Sequence, residues 1–317
     1  SNKTTIISRE IAVNDTHVSF PGIDPDRNNY NIVIDEIIPA TRYNAPSRII
    51  AIGDIHGQSD RMVKMLVSAG VVDSELNWSW GDGHLVFNGD IFDRGTAVTE
   101  ALWLIYKLEK QAIEVNGKVH LLLGNHEVMI LDNDKRYIAN KYYGLTSNLG
   151  IEYNDLFNKE SVIGKWIRTK NCVEIIGTTM FVHAGISPQL GNLNLTAEQI
   201  NYTFREIINN PGDTTNTQLK NLLKGNLGPV WYRGYARSTD TYDKITQEEI
   251  EQLLGQYSAE MVVVGHTEFD SVGLINNNTT LHINIPLAND KIVEQALLIE
   301  EGSYYRISSD MRKTKLK

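Results

Sequence analysis

The sequence predicts an α/β fold in which short buried strands end at a common site, and three observations lead to it. Five apolar runs, SRIIAIGDIHG (47–57), HLVFNGDIFDRG (84–95), VHLLLGNHE (119–127), TMFVHAG (179–185) and MVVVGH (261–266), have the length of fully buried strands and contain no proline. Each run stops in Asp, Asn or His, usually just after a glycine that frees the backbone to turn. Helical periodicity separates the first three, giving β-α-β order. Ligands of an open α/β sheet bind beyond the carboxyl ends of its strands. Five runs ending alike therefore point to one site at one edge of one sheet.

The elements follow in order. Residues 1–46 form a polar extension with alternating stretches at His17–Phe20 and Asn31–Ile38. The turn-rich PGIDPDRNN lies between them, so a hairpin outside the catalytic sheet is expected. The catalytic domain then runs over 47–317. Met62, Met65, Leu66 and Ala69 fall at helical spacing and Gly70 stops that helix. A second helix, about 96–110, turns Leu102, Ile105, Tyr106 and Leu108 inward. From about 128 to 171 the alternation stops, and Tyr137, Tyr142, Tyr143, Tyr153, Phe157 and Trp166 stand among polar residues. This segment reads as a helical insertion that leaves after GNHE and returns before HAG, which places it over the site. Residues 196–224 and 246–254 read as helical, and 272–277, 279–285, 293–300 and 304–308 as short strands.

Composition sets the outer bounds. The chain has 317 residues, 41% of them hydrophobic, and a mean hydropathy of -0.27, which suits a large core. A net charge of -9 and a pI near 5.4 argue against a general nucleic-acid binder. Cys172 is the one cysteine, so neither an intrachain disulfide nor a thiolate metal cluster is available. No apolar run is long enough to span a bilayer. The first residues are Ser-Asn rather than Met, as when a preceding segment has been removed; bacterial cytoplasm and periplasm both fit.

The strand ends supply Asp54, His56, Asp90, Asn125, His183 and His266, all oxygen or imidazole donors. Six donors are too many for one ion and suit two. Asp54 and His56 grip one ion from a single turn, and Asp90 is the candidate bridge. Asn125, His183 and His266 complete the ligand set of the second ion. Such mixed ligation suits Mn, Fe or Zn better than Ca, with Mn preferred here. Two ions about 3.5 to 4 Å apart can hold a hydroxide for in-line attack on phosphorus. Any one of these residues beside a glycine would be read as turn chemistry; six together reverse that reading.

The ordered motifs GDIHG, GDIFDRG, GNHE, HAG and GH resemble the phosphoprotein phosphatase family of calcineurin-like metallophosphoesterases over residues 47–270. HAGISP (183–188), GPVWYRGYA (228–236) and VVVGHTEF (262–269) are most similar to its Shewanella-like bacterial-type branch. Eukaryotic members usually read HGG in place of HAG and carry a SAPNY-type segment that is missing here. The resemblance implies a β-sandwich flanked by helices. It also implies a phosphomonoesterase acting on phosphoprotein or phosphopeptide substrates by attack of metal-bound hydroxide.

By the same resemblance, His126 is the general acid that protonates the leaving oxygen, and Asp93 accepts from its other ring nitrogen. The alternative for Asp93 is a helix cap near Thr96. Arg94, in DRG, and Arg233, in WYRG, are the expected phosphate clamps, with Arg237 able to share the task. His84 and His120 are expected to be structural, as is His282, while His17 carries no spacing signal. INIP (283–286) departs from the IDTG-like pattern of the group, so a substrate contact there is not carried over. Trp231, Tyr232, Tyr235 and the insertion's aromatics either wall the substrate or pack the insertion, and packing is expected for most. The alternative activity is hydrolysis of diadenosine tetraphosphate or another nucleotide, whose enzymes read GNHD where this chain has Glu127. A binding protein with a dead site is a third reading, but every expected position is filled.

Overall fold

A computed structural model describes residues 17–21, 29–33 and 37–317. Strand β1 (His17–Pro21) pairs antiparallel with β2 (Asn29–Val33) in a two-stranded sheet of their own. Their connection, residues 22–28, and residues 34–36 lie outside the described residues. Then follow β3 (Arg42–Tyr43), β4 (Arg48–Ile52), α1 (Ser59–Ser68), β5 (His84–Phe87), α2 (Val98–Glu114), β6 (Lys118–Leu121) and α3 (Asn125–Leu131). The insertion contributes α4 (Asn140–Leu149), a 3-10 turn at Tyr153–Phe157 and α5 (Val162–Arg168). Next come β7 (Val173–Ile176), β8 (Thr179–Val182), α6 (Pro188–Gly191), α7 (Ala197–Asn209), α8 (Thr217–Lys224) and α9 (Gln247–Gln256). The chain closes with β9 (Met261–Val264), β10 (Gly273–Ile275), β11 (Thr280–His282), β12 (Gln295–Glu300), β13 (Ser303–Ser308) and β14 (Lys313–Lys315).

The five motif runs do not share one sheet. They divide between two six-stranded sheets, ordered β14-β13-β12-β4-β5-β6 and β10-β11-β9-β8-β7-β3. Strands β4, β5 and β6 are parallel, with Ile52, Phe87 and Leu121 in register, so their carboxyl ends stop at one level. Strands β8 and β9 are also parallel and deliver the HAG and GH ends from the other sheet. Asn88 ties the sheets together at the site: its side-chain N–H donates to Val182 O (3.0 Å), and its carbonyl accepts from His183 Nδ1 (2.7 Å). Both faces of the motif strands are covered, which is why they read as continuous apolar runs.

The helices hold these layers on their apolar faces. Met62, Met65 and Leu66 of α1 are buried, and Gly70 takes the left-handed conformation (φ +71°) just past its end. Thr196 with Gln199 and Thr246 with Glu249 form capping boxes that start α7 and α9. The helical stretch expected over 196–224 is divided into two helices, because Pro211 cannot donate to a helix ladder and Gly212 follows it. The short strand β3 pairs parallel with β7, so the catalytic sheets recruit an edge strand from before residue 47. Most aromatics of the insertion pack, as in the edge-on Phe92–Phe157 (4.8 Å) and Tyr106–Trp166 (5.5 Å) contacts. Cys172 is fully buried, and burial pushes its thiol pKa well above the usual range.

Candidate metal centre

The loops after β4 and β5 are bound to each other before they hold anything else. The amides of Ile55 and His56 both donate to Asp90 O (2.9 Å each), and Gly57 N donates to Ile91 O (2.9 Å). The GNHE motif lies on the first turn of α3, three residues beyond the end of β6, so Asn125 and His126 project from a helix start. A Cβ at Gly124 would collide with Asp90 Oδ1, which explains the glycine before Asn125. Five site residues sit in the left-handed region: His56 (φ 45°), Asp90 (56°), Asp93 (70°), Arg94 (62°) and His266 (60°). Each such placement costs of the order of 1–3 kcal/mol in a non-glycine residue and persists only where surrounding structure enforces it.

All six predicted ligands converge and all are buried. Asp90 Oδ2 lies 3.6 Å from His56 Nε2, 3.3 Å from His183 Nε2 and 4.0 Å from His126 Nε2. Asp54 Oδ2 is 3.9 Å from His56 Nε2, and its Oδ1 accepts from His266 N (3.1 Å). Two groups of donors emerge, His56–Asp90–His126 and Asp90–His183–His266, with the ligand atoms of each within 4.8 Å of one another and Asp90 in both.

Ring orientations test whether this set fits cations. His56 Nδ1 faces Phe92 O (2.9 Å) and His183 Nδ1 faces Asn88 O (2.7 Å), so in each neutral ring Nδ1 carries the proton and Nε2 offers its lone pair inward. His183 Nε2 and Asn125 Oδ1 stand 3.1 Å apart. Two lone pairs at that distance need a positive centre nearby. His266 Nε2 is buried without a hydrogen-bond partner. Protons and metal ions compete for these same atoms. Burial opposes charge on His183, yet Asp90 and Asp54 raise it to about 9; burial, with the charge on Asp90, lifts Asp54 to about 7. Burial also pulls His56 down to about 4, which leaves it neutral as a ligand must be. The donors fit a dinuclear divalent centre.

His126 differs from the other imidazoles in its outer partner. Its Nδ1 meets a carboxylate, Asp93 Oδ2, at 2.7 Å, where His56 and His183 meet carbonyls. Burial works against its charge, but Asp90 and Asp93 raise its pKa above the ordinary value. Asp93 thus binds a ring rather than a helix start. Arg94 stands at the rim, half exposed, 3.5 Å from Glu268, and its amide donates to Tyr137 O (2.8 Å). Arg233 is half-buried and anchored through one guanidinium nitrogen to His266 O (3.0 Å) and Thr267 Oγ1 (3.3 Å).

The roles of four neighbours escaped the sequence reading. Glu127 is fully buried and accepts four amides: Asp90 (2.8 Å) and Gly124 (2.7 Å) on one oxygen, Ile91 (2.7 Å) and Phe92 (3.4 Å) on the other. Asn284, inside INIP, donates to Asp54 Oδ2 at 2.7 Å; a polar residue in an apolar run was the available signal. Asn88 carried the same signal in HLVFN. Tyr137, 47% exposed, lies with its ring 5.3 Å from that of His126, unlike the packed aromatics around it. Three further histidines serve elsewhere. His120 binds Glu174 (2.6 Å) and His84 (3.0 Å), and His282 stacks on Phe269 at 3.7 Å.

Comparison with known proteins gives a consistent picture. The profile of the calcineurin-like phosphoesterase family matches residues 47–267. The Shewanella-like protein phosphatase 1 of Plasmodium berghei is 29% identical over 260 residues, covering 78% of this chain and 71% of the relative. The Shewanella-like protein phosphatase 2 of Arabidopsis thaliana is 25% identical over 292 residues, covering 78% and 73%. The crystal structure of a cold-active protein-tyrosine phosphatase from a psychrophilic Shewanella species superposes with a TM-score of 0.86 at 32% identity, covering 96% of this chain and 91% of that one.

Proposed function

The chain belongs to the calcineurin-like phosphoesterases, in the Shewanella-like branch of the phosphoprotein phosphatases, and on that premise we propose how its own residues divide the work. It is a metal-dependent phosphatase, a hydrolase of phosphoric monoesters. Asp54, His56, Asp90, Asn125, His183 and His266 would hold two divalent ions, for which Mn is the metal we propose. When bound, two such ions supply Lewis acidity toward water and the phosphoryl oxygens.

The remaining chemistry belongs to the side chains. His126 carries a proton on Nε2, kept there by Asp93 at Nδ1 (2.7 Å), and gives it to the departing ester oxygen. Arg94 and Arg233 orient the phosphoryl group and offset its growing charge. Arg233 is pre-positioned by its bonds to the His266 segment, and Arg94 must exchange Glu268 for substrate. The observation carrying this reading is Asp90, whose Oδ2 lies 3.6 Å from His56 Nε2 and 3.3 Å from His183 Nε2, with the His126–Asp93 pair beside it.

The substrate is a phosphotyrosyl protein or peptide. Tyr137 supports this preference, because it sets a half-exposed ring beside the acid that serves the leaving group. The Shewanella structure, that of a protein-tyrosine phosphatase, points the same way. The nucleotide alternative is less supported: Glu127 fills a four-amide socket that the shorter Asp of a GNHD motif would not reach.

A matched pair of phosphotyrosyl and phosphoseryl peptides, offered to Mn-loaded protein, tests the assignment. Phosphate release roughly 5-fold faster from the phosphotyrosyl member is expected, since a flanking ring contact is worth about 1 kcal/mol. Equal rates would overturn the tyrosine preference. Silence on both with metal bound would overturn the protein-phosphatase assignment.

A further inference from the structure

A second, cationic cavity opens on the surface formed by α5 and α7. It encloses about 390 Å³, and Lys159, Lys165, Arg168 and Arg205 line it against a single carboxylate, Glu206. Four cations to one anion stand out in a chain of net charge -9. Part of this cluster serves the fold. Arg168 donates to Ile208 O (2.8 Å) and Lys159 to Asn209 O, where α7 ends and its carbonyls carry negative partial charge. Arg205 donates to Asn171 Oδ1, and Glu206 already accepts from Asn210 (3.1 Å). These bonds leave most donors unused, and Arg168 Nε is buried with no acceptor. Burial also lowers the pKa of Arg168 and Arg205, as for cations short of a counter-ion.

The cavity has an apolar neighbour. Ile38 and Thr169 also line a second hollow of about 180 Å³, walled by Tyr43, Ile113 and Trp166, with Lys110, Lys118 and Lys170 also in its lining. Its two carboxylates are engaged, Glu109 by Lys170 (2.6 Å) and Glu174 by His120 (2.6 Å). Ile38 (58%) and Tyr202 (63%) stand exposed at the rim. Cationic and apolar hollows sharing a wall complement a carboxylate-bearing stretch of peptide with a bulky apolar side chain next to it. A nucleic acid would supply the charge but would face a chain that repels polyanions elsewhere.

We propose that this paired cavity docks an acidic, leucine-bearing segment of the protein substrate, away from the phosphate-hydrolysing centre. The proposal rests on the protein-phosphatase reading. The probe is a labelled, unphosphorylated nonapeptide of Asp and Glu with one Leu, compared with its Asn/Gln counterpart by fluorescence anisotropy on the Mn-loaded chain. Tighter binding of the acidic peptide, weakening as salt rises, is expected. Lys159→Glu with Lys165→Glu should weaken it about ten-fold, since each reversed pair is worth up to about 1 kcal/mol. Lys165→Gln, a gentler change, should weaken it less, and p-nitrophenyl phosphate turnover should stay at the parent level in both. Equal binding of the two peptides, or undiminished binding by the double variant, would overturn the proposal and leave the cations as caps of α7. Loss of p-nitrophenyl phosphate turnover in the parent would instead strike the phosphatase reading, while the anisotropy arm still decides the docking.

Discussion

Replacing Glu127 by Gln should destabilise the fold and loosen the metal centre together. The carboxylate lies between the loop after β5 and the start of α3, taking two amides on each oxygen at 2.7–3.4 Å. Glutamine keeps the shape but turns one acceptor into a donor. Its carbonyl oxygen can serve one pair of amides, and its NH₂ then faces the other pair. Two buried N–H groups left unsatisfied cost about 1–3 kcal/mol each, a total near 4. Removing a negative charge beside Asp90 returns part of that, since burial and Asp90 both raise the pKa of Glu127. A net loss of about 3 kcal/mol remains, equivalent to a fall in Tm of roughly 4–5 °C for a chain of this size. Asp90 and Asn125 flank the bonded amides, so bound metal should decline as well. Thermal unfolding of Mn-loaded and chelator-treated protein, with metal analysis after dialysis, would measure both effects. A variant within about 0.5 kcal/mol of the parent in both states, retaining full metal, would refute the reasoning.

Other outcomes follow from the same geometry. His126→Asn should lower kcat about 10²–10⁴-fold on phenyl phosphate and much less on p-nitrophenyl phosphate, whose leaving group needs little protonation; equal losses on both would exclude an acid role. Arg94→Gly should not reduce stability, because a glycine at φ 62° relieves about 1–2 kcal/mol of strain and offsets the lost half-exposed pair with Glu268, while kcat/KM falls; denaturant titration beside kinetics checks this. His282 has its pKa lowered to about 4 by burial, so the unfolded chain binds its proton first as pH drops below about 6.5. Stability from this group is therefore lost between about pH 6.5 and 4, by at most about 1.4 kcal/mol per pH unit and less where solvent screens the ring. Stability curves of His282→Phe and the parent should converge toward pH 5, and parallel curves would contradict this. Chelation should abolish turnover and lower Tm, with Mn restoring both, because removing the cations leaves Asp54 and Asp90 facing each other in a buried site.

What the sequence disclosed followed from what is local. Strand termini announce themselves through an apolar run, a glycine and a polar residue, so all six candidate ligands were legible before any contact was known. Which sheet each run joins was not legible, because β4–β6 and β8–β9 look alike along the chain and differ only in their distant partners. Asn284 reaches Asp54 across 230 positions and so leaves no spacing to read. Glu127 was noticed as a motif letter, but its role depends on four amides aimed by two other segments. The break between α7 and α8 was within reach, since Pro211–Gly212 interrupts a periodicity that continues on both sides. Tyr137 resembled its packed neighbours until the insertion was folded against His126.

The sealed thiol of Cys172 also bears on how this phosphatase meets oxidants. Phosphatases that attack phosphate through a cysteine thiolate depend on an accessible, acidic sulfur, and peroxide silences them by capping it. Here the chain's one sulfhydryl is inaccessible and held in its protonated form. Thiol-alkylating reagents therefore do not reach Cys172 in the folded chain. Dephosphorylation by this chain would persist through a peroxide pulse that stalls thiolate-dependent counterparts, as far as the sulfur route is concerned.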